Sequence, residues 1–555
     1  MRSRRLATLA GVLATAVILA GCVGIPTSGG VQTGEVIVGP EGPGTEITPS
    51  DPTAGSEKEQ LLEDFMLALR GPQNGYQIAK KYLTTEFADL WEPNALTTIR
   101  DGEFTIASGG QDELLYTFPS RSFVDANGRY FEQPGASNQT LSFTFERENG
   151  EWRISRAPDG IVLSQRSFNI VFRAQPLYFL DPSSEFLVPD ARWFPVRDTI
   201  WLRVAQSLAA GPAGWLGGGA VLTGFPDGTT IPADGVNREG SIATVTLSDA
   251  ASAATPEQKA AMRQQLAATL EVSTVVLKVG PAILDSPDVA TPPTKTPLVG
   301  GQAVIGTADA FGFASADGAT PLDGLSAQVV AAAPSAATVG HNESAVALLG
   351  VGGVSVVTPG DEPFLLDDRP GLVAPSIDPF NYVWSAQGAS AASITAFGLD
   401  GAEHPFPTGI PPDVQLTSMD VSRDGARVLL TVVGPLGPRV YVAGVIRGAD
   451  NAPIGLGAGF GLDVGLGPVT PVDAAWIDER SVAVLIAGAD GTDVVSYEVG
   501  GPRTSLGPLE GGTAIVGGNF GADGIRVLAG GELWQHRASG WLATGIEALY
   551  LATQN

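Results

Sequence analysis

The strongest constraint on what this chain can fold into lies in its C-terminal half, where helical periodicity stops and short β-rich runs recur. From Asp285 to Pro297 the sequence reads DSPDVATPPTKTP, a proline-rich linker that cannot carry a helix onward. Beyond it come Ala345–Leu349, Tyr382–Trp384, Val428–Val433, Val482–Ile486 and Ile525–Leu528. Counted from Ala345, Val383, Val428, Val482 and Val527, the runs lie 38, 45, 54 and 45 residues apart. A propeller blade takes ~40–45 residues. Several runs follow a related phrase: Ser376-Ile377-Asp378-Pro379, Ser422-Arg423-Asp424-Gly425 and Trp476-Ile477-Asp478-Glu479. Aspartate beside Gly or Pro supplies the tight turn that the inner hairpin of a blade needs. The expectation for 300–555 is an all-β propeller of five or six blades, with a β-sandwich as the alternative that uneven spacing leaves open.

Ahead of the linker (285–299) the pattern is α+β, in two parts. In the first, 51–165, Ser56 and Glu59 form an S-x-x-E capping box. Leu61, Leu62, Phe65 and Leu69 make one apolar stripe, stopped by Gly71-Pro72. A second helix is expected over Tyr76–Leu83, then strands at Glu103–Ala107, Leu114–Phe118, Ser122–Val124, Tyr130–Glu132, Thr140–Glu146 and Glu151–Ser155. The last two flank Asn149-Gly150, a hairpin turn. Helices followed by a curved antiparallel sheet predict a cone, with Tyr76, Tyr82 and Trp91 on its concave side and room there for a small cavity. The second part, 166–284, predicts a strand at Phe168–Phe172, a helix near Thr199–Ala209 and a hairpin from Gly235–Val236 to Ile242–Leu247. A helix opened by Thr255-Pro256 and a strand at Thr274–Val279 complete a β-α-β-β-α-β-like order.

The N-terminus reads as a targeting segment. Arg2, Arg4 and Arg5 precede an apolar run from Leu6 to Ala20, shorter than the ~20 residues that span a bilayer. It closes on Leu19-Ala20-Gly21-Cys22, a bacterial lipobox in which Cys22 is lipidated and becomes the new N-terminus. Residues 1–21 are then signal peptide and 22–50, rich in Gly, Pro, Thr and Val, a flexible tether. Several acyl chains on one cysteine, at ~0.8 kcal/mol per buried methylene, give a lasting membrane anchor.

Charge and residue supply narrow the function classes. The formal charge is −27 and becomes −30 without Arg2, Arg4 and Arg5, so a phosphate backbone is repelled and no nucleic-acid partner is expected. Cys22 is the only cysteine, which leaves the folded part without internal disulfides. The three histidines, His341, His404 and His536, form no close pair, so no zinc site arises from local spacing. There is no G-x-S-x-G elbow, no S-x-x-K and no phosphate loop; no catalytic residue and no cofactor are expected. Gly455-Leu456-Gly457-Ala458-Gly459 reads as a loop between blades, Asp367-Asp368 as a solvated turn, and Asp420 with Asp424 lacks a calcium ladder. Trp384, Trp476 and Trp534 sit at core positions of blades. Trp215, just before Gly217-Gly218-Gly219, has no evident partner strand and is the candidate exposed contact.

Taken in order, certain phrases carry a resemblance. They are the lipobox at Cys22, Phe65-Met66-Leu67-Ala68-Leu69, Lys80-Lys81-Tyr82-Leu83-Thr84, Trp91-Glu92-Pro93 and Tyr178-Phe179-Leu180. Leu187-Val188-Pro189-Asp190-Ala191-Arg192, Leu208-Ala209-Ala210-Gly211-Pro212, Pro226-Asp227-Gly228-Thr229, Val421-Ser422-Arg423-Asp424-Gly425 and Asp473-Ala474-Ala475-Trp476 follow. The chain resembles the actinobacterial LpqB lipoprotein family. That resemblance implies an NTF2-like cone, a GerMN-like middle domain and a C-terminal propeller. It also implies a lipoprotein on the outer face of the cytoplasmic membrane that contacts the extracytoplasmic part of a sensor histidine kinase, tuning signalling to envelope state and cell division. The family offers no catalytic residues to carry over. Two other readings remain open: a module that binds peptidoglycan or another envelope glycan, and a propeller-based enzyme.

Overall fold

The computed structural model describes residues 49–555 apart from 198–199, 317, 436, 463–468, 489–490 and 539, with 134 described by its backbone alone. The signal segment, the lipobox and the tether up to residue 48 lie outside the described residues. Helices Lys58–Ala68, Gln73–Lys80 and Thr85–Leu90 precede a six-stranded sheet. The expected apolar stripe is buried, and Phe65 packs against Tyr82, Trp91 and Phe143 with ring centroids 6.2, 5.7 and 6.2 Å away. Tyr76, Tyr82 and Trp91 are buried as well. The sheet strands are longer than the separate runs suggest. Glu113–Asp125 and Tyr130–Glu148 each absorb two of them, and a register shift between Ser120 and Ser122 breaks the ladder. Asn149 and Gly150 turn the next hairpin with φ of 55° and 84°, as a two-residue turn demands.

Three local expectations are corrected. The Ser56–Glu59 capping box is absent, because the helix starts at Lys58 and the Ser56 hydroxyl donates instead to the Thr53 carbonyl. The sheet is mixed, since Ile161–Ser164 runs parallel to Leu96–Arg100. The strand expected at Phe168–Phe172 is a helix, Gln165–Val171, whose first turn Ser164 caps by accepting the Ser167 N–H. Phe168 and Val171 then fall on one helical face and are buried, and Phe172, extended just past the helix end, is buried beside them.

The second module begins with a two-stranded ribbon, Phe172–Leu180 against Leu187–Pro195. Helix Ile200–Ala209 follows, then Val236–Glu239 paired antiparallel with Ile242–Leu247. Helix Pro256–Thr269 crosses over to Thr274–Val279, which lies parallel to Ile242–Leu247. Its capping box is complete: Thr255 Oγ1 accepts the Gln258 N–H at 3.2 Å and Gln258 Oε1 accepts the Thr255 N–H at 2.9 Å. The proline-rich linker is pinned: Thr294 bridges the 185–187 turn, and Lys295 lies 4.6 Å over the Tyr178 ring.

The C-terminal part is a closed propeller of six blades. Their innermost strands are Ala336–Val339, Ser376–Ile377, Gln415–Val421, Thr470–Trp476, Gly512–Val516 and Tyr550–Gln554, each touching the next around the ring. The last of these is supplied by the C-terminus. It pairs antiparallel with Val304–Gly306 and so completes the first blade, and it pairs parallel with Ala337–Val339 of the second. The Asp turns appear where expected. Asp378 accepts the N–H groups of Phe380 and Tyr382, Asp424 that of Ala426, and Asp478 those of Arg480 and Ser481. The 54-residue interval has a cause in the fourth blade, whose outer edge is split into Pro453–Leu456 and Phe460–Leu462, both paired with Gly437–Arg447. The Gly455–Gly459 run forms that split, within a blade rather than between blades. Among the described residues one short α-helix, Ser326–Ala332, interrupts the β pattern.

Candidate functional site

The second module and the propeller share one hydrophobic core, which runs from Leu177, Phe179, Leu208 and Leu266 through to Leu429, Val442, Trp476 and Val484. The ribbon's second strand carries the residues that lock this body to the first module. Arg192 is 1% exposed and forms a two-bond fork with Asp190, Nε to Oδ1 at 3.1 Å and Nη2 to Oδ2 at 2.6 Å. Its Nη1 donates to the Asn127 carbonyl in a turn of the first module, at 3.2 Å. Asp190 Oδ2 also accepts the Ala213 N–H at 2.7 Å. Two buried charges are tolerated here because each has a geometric partner and further hydrogen bonds. Trp193 extends the lock in both directions: its N–H donates to Gly128 O at 2.7 Å and its Nε1 donates to Gly500 O in the propeller at 2.9 Å. A Cβ on Gly501 would meet the Trp193 ring at 2.9 Å, so that approach requires glycine.

Trp215 is not an exposed contact. It is 8% exposed, its ring centroid is 6.2 Å from that of Phe460, and its carbonyl lies where Cβ atoms on Gly444 and Gly457 would each come within 2.9 Å. Its missing partner surface is the fourth blade, more than two hundred residues away in sequence, which local reading cannot supply. Nearby, Phe186 meets Phe380 edge-on at 6.2 Å, and Phe380 lies beneath Arg447, itself paired to Asp378 at 2.8 Å.

Side chains also staple the inner strands to one another. Ser376 Oγ accepts the Val421 N–H, Asp420 Oδ2 the Trp476 N–H and Asp473 Oδ2 the Ile515 N–H, all at 3.0 Å. Burial pushes the Asp420 carboxyl up to about 7, against the pull of the Trp476 N–H and with the Asp473 charge adding to the rise. Asp473 keeps some exposed surface yet is enclosed by protein, and burial raises it to about 6.

The remaining sequence candidates fall as follows. Cys22 and its lipobox residues Leu19, Ala20 and Gly21 lie outside the described residues. Trp384 and Trp476 are buried in blade cores, whereas Trp534 is only half-buried. Asp367 is buried rather than solvated, gripped by Arg369 and the Ser385 hydroxyl, and those bonds outweigh burial to hold it below the usual carboxylate range. Among the described residues no three His, Cys, Asp or Glu are grouped to hold a metal, and no helix is long and apolar enough to cross a membrane. The arrangement holds modules in place. Sequence reading missed Asp190, Arg192, Trp193, Asp420 and Asp473 as a set, although Leu187–Arg192 and Asp473–Trp476 were conspicuous phrases.

Three family models match the chain: Lipoprotein LpqB N-terminal domain over residues 51–169, Sporulation and spore germination over 176–280, and Lipoprotein LpqB beta-propeller domain over 311–544. Among curated relatives, Lipoprotein LpqB of Cutibacterium acnes is 30% identical over 287 residues, covering 50% of this chain and 47% of the relative. Lipoprotein LpqB of Thermobifida fusca is 29% identical over 287 residues, covering 49% and 45%. The matched region thus spans about half the length of these relatives. Among solved structures, the putative TolB from Agrobacterium tumefaciens is similar at 18% identity, covering 34% of this chain and 65% of its own, with a TM-score of 0.26. That likeness is too slight to bear on the fold.

Proposed function

Because this chain belongs to the LpqB lipoprotein family, we propose that it is exported, lipidated on Cys22 and held on the extracytoplasmic face of the cell membrane, where it modulates a sensor histidine kinase. It acts by protein–protein contact with the extracytoplasmic part of that kinase, without catalysis or cofactor, and links its signalling to envelope homeostasis and cell division. The observation that supports this reading best is the shared core between the second module and the propeller, fastened to the first module by Asp190, Arg192 and Trp193. A rigid composite body loses little conformational freedom on docking, which favours a broad protein contact over capture of a small ligand by a closing cleft.

Crosslinking in the native membrane followed by partner identification tests it. Recovery of a histidine kinase with the wild-type chain, and its loss with Cys22→Ser, is the expected result. Recovery of wall polymer or other lipoproteins alone refutes the kinase contact. The glycan-binding alternative has lost its leading residue, since Trp215 is packed against the fourth blade.

A further inference from the structure

In the first module a cavity of about 460 Å³ lies between helices Lys58–Ala68 and Gln165–Val171 and the sheet. That volume lies in the range of ~300–1,000 Å³ typical of small-ligand sites. Its walls are of two kinds. Met66, Leu67, Phe104, Tyr116 and Ile170 make an apolar lining, in which the Phe104 and Tyr116 rings stack 4.8 Å apart and Leu67 is half exposed. Arg70, Arg100 and Arg166 bring three guanidinium groups to the same cavity, with Glu63 as the one opposing carboxylate among the lining residues. In a chain with 32 basic and 59 acidic residues, three arginines to one carboxylate around a greasy hollow runs against the overall charge. Arg100 is partly engaged, lying 5.2 Å over the Phe104 ring and bonded to Gly102 O. Neither Arg70 nor Arg166 has an ion-pair partner among the described residues.

We propose that this cavity binds a monomeric anionic amphiphile: a single acyl chain in the apolar part and a phosphate or carboxylate head at the arginines. Arginine forks match both head groups, and an apolar pocket with a few convergent cations discriminates by the sign of the head as well as by chain length. The site belongs to the first module alone and is independent of the kinase reading.

The test uses the full chain carrying Cys22→Ser, titrated calorimetrically with dodecyl phosphate, dodecyl maltoside and dodecyltrimethylammonium below their aggregation concentrations. Separate arms use inorganic phosphate and vesicles of phosphatidylglycerol or phosphatidylcholine. Dodecyl phosphate is expected to bind at least about tenfold more tightly than the neutral and cationic chains, with no saturable binding of inorganic phosphate. Arg166→Glu at an exposed position and Arg70→Glu at a half-buried one are expected to weaken it by about tenfold each at unchanged melting temperature. Equal binding of all three chains, or an affinity unmoved by both charge reversals, overturns the proposal. So does binding to phosphatidylglycerol vesicles without binding of the monomer, which would mark a membrane-facing surface instead.

Discussion

Asp420→Asn separates the two things that Asp420 does, holding the fifth blade's inner strand and carrying a buried titratable proton. Its carboxyl is 5% exposed and stands at about 7 against an ordinary 3.8. The folded chain therefore keeps a proton that the unfolded chain has already released, so this group's contribution to stability is complete below pH ~4 and is lost as pH rises through ~7. At ~1.4 kcal/mol per unit, the gap of roughly three units amounts to ~4 kcal/mol in all, and about half of that falls between pH ~5.5 and pH ~8.5. Asparagine does not titrate, and its amide oxygen can still accept the Trp476 N–H. In urea unfolding followed by tryptophan fluorescence, the wild-type chain should lose ~2 kcal/mol more than Asp420→Asn between those two pH values. Trp476 is a local reporter, since its own Nε1 donates to the Asp420 carbonyl at 3.1 Å. Asp420→Ala supplies the control: with the acceptor gone, the orphaned N–H should cost ~1–3 kcal/mol relative to Asp420→Asn at both pH values. Equal pH dependence in wild type and Asp420→Asn would refute the assignment of a buried, proton-retaining carboxyl.

Trp215→Ala should destabilise the interface between the second module and the propeller by ~3–5 kcal/mol, seen as new protease cleavage in the exposed 217–219 turn without loss of propeller circular dichroism. Arg192→Met leaves Asp190 buried without its counter-charge and should cost ~3–5 kcal/mol in denaturant unfolding, whereas Asp190→Ala combined with Arg192→Met should recover part of that loss. Truncation after Leu549 removes the strand that closes the first blade and exposes the edges of Val304–Gly306 and Ala337–Val339. Size-exclusion chromatography should then show aggregate in place of monomer.

Where sequence reading succeeded, the determinants were local. Asn149-Gly150 turns a hairpin by its own backbone preference, Thr255 and Gln258 cap each other across three residues, and the Asp turns of the propeller close within four. The blade spacing was legible because the inner hairpins of the third, fourth and fifth blades repeat an Asp turn before an apolar strand. Its one large deviation, the 54-residue interval, is the split outer edge of the fourth blade. Errors came where a local pattern had two solutions. Phe168–Phe172 alternates enough for a strand, but Ser164 caps a helix just before it, and burial of Phe168 and Val171 on one helical face decides in the helix's favour. Ser56 has the right spacing for a capping box, yet its hydroxyl finds a nearer acceptor at Thr53.

The junction was illegible for a different reason: its partners come from other modules. Asp190 and Arg192 lie two residues apart on a strand, so both side chains face one way, and alone they read as an ordinary exposed pair. What makes them a buried fork is the Asn127 carbonyl from the first module and the Ala213 N–H from the second. Trp193, on the opposite face of the same strand, finds Gly500 more than three hundred residues away. Trp215 shows the converse error. A large aromatic beside three glycines, with no nearby strand to cover it, reads as exposed, but the glycines that matter are Gly444 and Gly457, whose missing Cβ atoms let the blade approach its carbonyl. Exposure is a property of the assembled body, and here the modules pack on one another so closely that the residues most open by local reading are those that hold them together.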